Sequence, residues 1–231
     1  MRERETDSRE ILRMLITLSI PTVLEEILHT LLQYVDTAMV GRLGEQATAA
    51  VSVTTTITWL INSISGAAGV AVLAMISRAV GSGDEKRIKK ISEQALLLTV
   101  VFGAATGGIS IVLSPHIPVW MGAEEAIWKP ASVYFTIVSV PMVFRSAGII
   151  LAAAIRGTKD TRTPMFISIG SNLLNAVLNY LLIYTAGLGV TGAALASAVS
   201  YTVSGVFMFA AYRKKEKLYW EWKSFRADRQ I

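Results

Sequence analysis

Asp36 lies near the end of a largely apolar stretch, IPTVLEEILHTLLQYVDTAMVGRLG, long enough to cross a bilayer. A carboxylate inside a membrane-spanning helix costs about 2.5–3.5 kcal/mol on insertion scales, so it is rarely there without a use. On a helix, Glu25, His29, Gln33 and Asp36 fall at i, i+4, i+8 and i+11 and form one polar stripe. Such a stripe faces a protein interior or a watery cavity, not lipid. Its chemistry, a carboxylate that takes up a proton or holds a cation beside neutral donors and acceptors, suits moving an ion or a solute across a membrane.

Other polar groups occur at a matching depth. Asp36 is six residues inside Arg42, about 9 Å along a helix. Asn179 lies six residues before Thr185 and Ser197 seven past Val190, with Asn175 one turn from Asn179 on the same face. By residue chemistry alone, Asn175, Asn179 and Ser197 fit either a shared site with Asp36 or interhelical hydrogen-bond glue. Thr55, Thr58, Asn62 and Ser65 form a second polar stripe suited to a cavity wall. Gly192, Ala196, Ser200 and Ser204 recur every four residues, the pattern of a close-packing face. Glu25 is expected to line the cavity near mid-membrane, with His29, Gln33, Thr55, Asn62 and Arg145. Arg145 lies deep enough to call for a carboxylate, with Glu26 one option.

Six segments must position these groups: residues 15–40, 50–76, 91–113, 131–155, 164–185 and 190–212. Each exceeds the roughly 20 residues that span a 30 Å hydrocarbon layer. The chain is 52% hydrophobic and 17% charged, with positive mean hydropathy, which places it with membrane proteins. Residues 1–14 read as a cytoplasmic segment, 15–212 as a six-helix membrane lobe, and 213–231 as a basic tail or the start of a linker. The first apolar run is too long for a signal-peptide core, so helix one is expected to stay. Cysteine is absent, which excludes disulfides and thiolate metal sites.

Of the 22 Lys and Arg, all but Arg42, Lys129 and Arg145 fall at the two ends or in the second and fourth connections. That alternation puts both termini on the cytoplasmic side of the inner membrane. It also explains the net charge of +5 through membrane orientation and lipid contact, without nucleic acid. Walker-type glycine loops, GxGxxG after a strand and metal-spaced histidine pairs are all missing, so neither an enzyme nor ATP-driven transport is indicated.

Four ordered runs then carry a resemblance: IPTVLEEILHTLLQYVDTAMVGRLGEQATAAVSV, SRAVGSGDEKRIKKISEQA, IRGTKDTRTPM and NLLNAVLNYLLIYTAGLGVTGAALAS. Together they cover nearly the whole chain, which resembles the multidrug and toxic compound extrusion (MATE) transporters. The resemblance implies an all-α membrane protein whose six helices form one lobe of a twelve-helix, two-lobe transporter. A second lobe or self-association is then expected as partner, because KSFRADRQI ends where the inter-lobe linker would run. The implied activity is export of amphipathic or cationic organic compounds and drugs, with no cofactor and with H+ or Na+ as coupling ion. The family's N-lobe ion site maps onto Asp36, Asn175, Asn179 and Ser197, with sodium at Asp36, Asn175 and Asn179 as one occupant. Sodium-favouring members carry an Asp where this chain has Asn179. Losing that charge weakens the site for a hard cation and favours a proton. Alternative readings are a lipid-linked oligosaccharide flippase of the wider superfamily, or a non-transporting half-length remnant.

Overall fold

The computed structural model describes residues 2–215 and Leu218. The rest of the basic tail, Lys217, Lys223, Arg226 and Arg229 included, lies outside the described residues. Every regular element among those described is helical: α1 (Arg2–Gly41), α2 (Glu45–Ser82), α3 (Glu85–Leu113), the single turn α4 (Ile117–Trp120), α5 (Glu125–Ser139), α6 (Met142–Gly157), α7 (Arg162–Asn179) and α8 (Gly189–Arg213). Helix α7 continues into a π-helical turn, Tyr180–Thr185. Five helices are long and apolar enough to cross a bilayer, and the α5–α6 pair makes a sixth crossing. Exposed apolar side chains such as Leu31, Val70, Val112 and Phe166 cover the outer faces, as a bilayer-facing surface requires.

The first crossing is Leu15–Gly41, close to the expected 15–40, and helix α1 extends it back to Arg2. The fourth crossing, expected as one helix, is two helices meeting at 52°. Pro141 stands at the break: it has no N–H to bond back into α5, and its carbonyl accepts from Arg145 to start α6. Pro21, by contrast, sits inside an unbroken α1.

The tight connection after α2 follows from its sequence. Gly83 adopts φ 68° and its N–H closes on the carbonyls of Ala79 and Val80. Asp84 then caps α3, its carboxylate accepting from the Arg87 N–H at 3.0 Å. This leaves the basic run Lys86–Lys90 on the end of the lobe that also carries the α6–α7 connection.

Helix α6 is the centre of that end. Ile150, Leu151 and Ile155 are fully buried against Val72 and Ile76 of α2, Ile91 and Ala95 of α3, and Met208 and Tyr212 of α8. Close approach depends on missing side chains: a Cβ at Gly103 or Gly205 would lie 2.4 Å from the backbone of Val143 or Phe144. The Tyr212 hydroxyl donates to the Ser92 carbonyl at 2.8 Å.

The loop between α6 and α7, RGTKDTRTPM, holds the outgoing chain. Asp160 accepts from the Thr163 backbone N–H at 3.0 Å and its hydroxyl at 2.6 Å, and it pairs with Lys215 just past α8. Burial opposes ionisation of this carboxyl. The contacts from Lys215 and Thr163 outweigh it and hold Asp160 below the usual carboxylate value. A depressed folded value means the stabilisation is present above the unfolded value of 3.8 and fades as pH falls through the lower folded one. Asp160→Asn should therefore lower the melting temperature at pH 7, with the gap to the parent closing in acid. A gap that widened below pH 4 would contradict this.

Candidate functional site

Helices α1, α7 and α8 bring the expected polar groups together. Asn179 is the last residue of α7 before the π turn and is fully buried. Its Nδ2 donates to Asp36 Oδ1 across 143 residues of sequence, and to Asn175 Oδ1 at 3.2 Å. Asn175 Nδ2 in turn donates to Ser197 Oγ on α8 at 3.4 Å. The shared depth read from the sequence thus corresponds to one connected chain of side chains. The π turn sits against it, and Tyr184 within that turn donates to the Met39 carbonyl at 2.8 Å, fastening α1 one turn beyond Asp36.

The arrangement has a polarity. Asn179 presents its amide N–H, not its oxygen, to the carboxylate, so Asp36 is satisfied by a neutral donor. Asn179 Oδ1 is left buried with no hydrogen-bond partner among the described residues. The four groups comprise one carboxylate, two amides and a hydroxyl. No cluster of three or more His, Asp or Glu suited to a metal occurs among the described residues.

Three members of this cluster, Asp36, Asn175 and Ser197, face a cavity of about 970 Å³, with Asn179 buried behind them. His29, Gln33, Thr55, Asn62 and Arg145 line it, as the two polar stripes implied, together with Asp36, Asn175 and Ser197. Exposed His29, Gln33, Thr55 and Trp59 edge its mouth on α1 and α2. Ser200 and Ser204 also reach the wall, whereas Gly192 on the same row packs, its Cβ position 2.7 Å from the Leu182 carbonyl.

Two expectations are corrected. Glu25 does not line the cavity: both its oxygens accept from Arg156 Nη2 at 2.8 Å, near the basic end of α6. The polar stripe therefore divides, its first member serving as an ion pair. Arg145 has no carboxylate partner among the described residues, and Glu26 is exposed on α1. The guanidinium lies instead over the Tyr201 ring, 4.2 Å from its centroid.

Sequence reasoning missed Tyr134 and Tyr201. Both line the cavity, and Tyr134 is within side-chain hydrogen-bonding reach of Ser197 and electrostatic reach of Asp36 and Arg145. Their spacing was available: Tyr201 is four residues past Ser197, on the same face of α8.

With this geometry in view, the comparisons with known proteins are direct. The MatE family profile matches residues 21–181, more than half of the chain. The chain belongs to the MatE family. Its MatE relatives include the probable multidrug resistance protein NorM of Thermotoga maritima, 26% identical over 90% of this chain and 46% of the relative. The FAD transporter of Shewanella oneidensis is 28% identical over 94% and 50%. The multidrug resistance protein PmpM of Pseudomonas aeruginosa is 28% identical over 75% and 36%. The chain spans about half the length of the curated relatives it matches. Among solved structures, a MATE crystal structure in complex with MaD3S matches with TM-score 0.89 at 24% identity, over 94% of this chain and 49% of that one. A MOP superfamily transporter from Pyrococcus furiosus matches with TM-score 0.87 at 24% identity, over 94% and 48%. At that identity the likeness establishes the fold alone.

Proposed function

We propose that the chain is one half of an exporter that moves amphipathic organic compounds, drugs among them, across the cytoplasmic membrane in exchange for an ion. The observation that carries this reading is the connected chain Asp36–Asn179–Asn175–Ser197, of which Asp36, Asn175 and Ser197 line a solute-sized cavity and Asn179 is buried behind them. A group that changes charge and a space for the solute then share one structure, which is what exchange requires. Multidrug resistance proteins among the relatives support the drug reading, and the FAD transporter extends the plausible range to large aromatic solutes.

The coupling ion in this reading is the proton. One carboxylate beside two amides and a hydroxyl offers a hard cation only a single charge, and a protonated Asp36 would keep one oxygen to accept from Asn179. The charge alternation of the loops supports a cytoplasmic position for both termini. Alternating access needs two bodies rocking about a central site, so the working form pairs this lobe with a second six-helix half or a second copy.

The test is dye transport in vesicles carrying the chain, as a dilute monomer and as a covalent tandem, with proton and sodium gradients imposed separately. The tandem should extrude dye under a proton gradient, and the monomer should be close to inactive. Equal efflux by strictly monomeric chain would refute the two-body reading, and efflux driven by sodium alone would refute the proton.

A further inference from the structure

Arg145 occupies an unusual position. It lies one turn into α6, just beyond the Pro141 break, in the interior of a bilayer-crossing segment. A buried guanidinium is tolerated when its donors are engaged, because an unpaired charge in low dielectric is strongly unfavourable. Here one face is covered by the Tyr201 ring, yet Nη1 is buried with no hydrogen-bond partner among the described residues.

The nearest explanation would be Asp36, the other charged residue of the cavity wall. The two make no ion pair, and the carboxylate already accepts from Asn179. Both line the same cavity, where the guanidinium stacks on Tyr201 and the carboxyl bonds to Asn179. The wall near Arg145 is also polar and unoccupied by internal bonds. The side chains of Ser168 and Ser204 line the cavity and bond to no other described residue, and a Cβ at Gly148, three residues beyond Arg145, would lie 3.5 Å from Ser204 Oγ.

We propose that Arg145 is an oxyanion anchor: it receives the carboxylate or phosphate group of an amphipathic aromatic ligand, while Tyr201 holds the guanidinium plane in position. A guanidinium presents paired N–H donors that match a carboxylate or phosphate, and stacking on a ring fixes that fork before the ligand arrives. Trp59, Tyr134 and Tyr201 supply ring surfaces for the apolar part. The accepted solutes would then include anions and zwitterions, beyond the cationic compounds the resemblance implies. The inference rests on the reading of this cavity as the solute path.

The full chain in discs of zwitterionic lipid can be titrated with dansyl probes differing in one group. These are dansylglycine, its neutral amide, dansyl-phosphoethanolamine and a dansyl quaternary ammonium. The two anions should bind about ten-fold tighter than the amide, the size expected of one charge-assisted contact. Arg145→Gln should reduce the anion-over-amide ratio to within about two-fold, and Arg145→Lys should keep part of it. Equal binding of anion and amide by the unaltered chain would overturn the anchor without reference to any variant, so a folding failure of Arg145→Gln does not protect it. An anion advantage that survived in a folded Arg145→Gln would overturn it too. Repeating the titration in discs of anionic lipid separates the sources. Undiminished anion binding supports a solute oxyanion, and competitive loss of the anionic probes alone supports the anchor with a lipid headgroup as its ligand. Failure of every probe to bind would refute the solute path itself, whereas binding of amide and ammonium with no preference for anions refutes Arg145 alone.

Discussion

Asp36→Asn, in vesicles carrying the paired chain, is expected to reduce proton-driven efflux to the level of protein-free vesicles while the lobe still folds. The substitution keeps the size of the side chain and an oxygen able to accept from Asn179, so the link between α1 and α7 survives. What disappears is the ability to change charge, and with it any way for the gradient to bias the lobe. The companion Asn179→Asp tests the same geometry from the other side. It would replace the amide donor on Asp36 by a second carboxylate, and two adjacent carboxylates cannot both ionise without a cation or a shared proton. Sodium should then begin to drive efflux or compete with protons. Unchanged gradient-driven efflux by Asp36→Asn would end the assignment and move the coupling group outside this lobe.

The site was legible in the sequence to the extent that bilayer physics makes polar groups conspicuous. Asp36, Asn175, Asn179 and Ser197 stand out because hydrocarbon offers them no water, and helical rise converts their positions into depth. Tyr134 and Tyr201 escaped because an aromatic ring in an apolar helix looks like core. Only the fold shows one beside Ser197 and the other under Arg145. The hydrogen-bond direction at Asn179 was equally invisible, since residue type does not say which end of an amide faces the carboxylate.

The crossings themselves were legible from length and hydropathy, and their shapes were not. Pro141 falls within the fourth span, but the effect of a proline there depends on how α5 and α6 each pack. Gly103 and Gly205 let α3 and α8 press against the first turn of α6, and that packing sets where the lower half points. The π turn after Asn179 has no marker in YLLIYT. It is held from outside, by Tyr184 on Met39 and by Ile183 packed with Val40 and Ala193.

Glu25→Gln is expected to cost about 3 kcal/mol, the lower end of the range for breaking a buried ion pair because Arg156 keeps partial solvent access. In a chain of this size that is a fall of roughly 6–12 °C in melting temperature. Helix α1 has a mostly apolar, outward-facing surface, so few contacts hold it to the lobe. Beyond the turn around Asp36 and Met39, its polar attachment is the double contact of Glu25 with Arg156, made across 131 residues of sequence. Removing the carboxylate strands a guanidinium whose Nε already lacks a partner. Arg156→Met should be similarly costly, for it leaves Glu25 buried and unpaired. The double variant Glu25→Leu/Arg156→Met should cost clearly less than the two single changes together, because no charge is then stranded. Additive losses would mean that the two residues act separately, and that α1 is held at its basic end by packing around Pro21 and not by this ion pair.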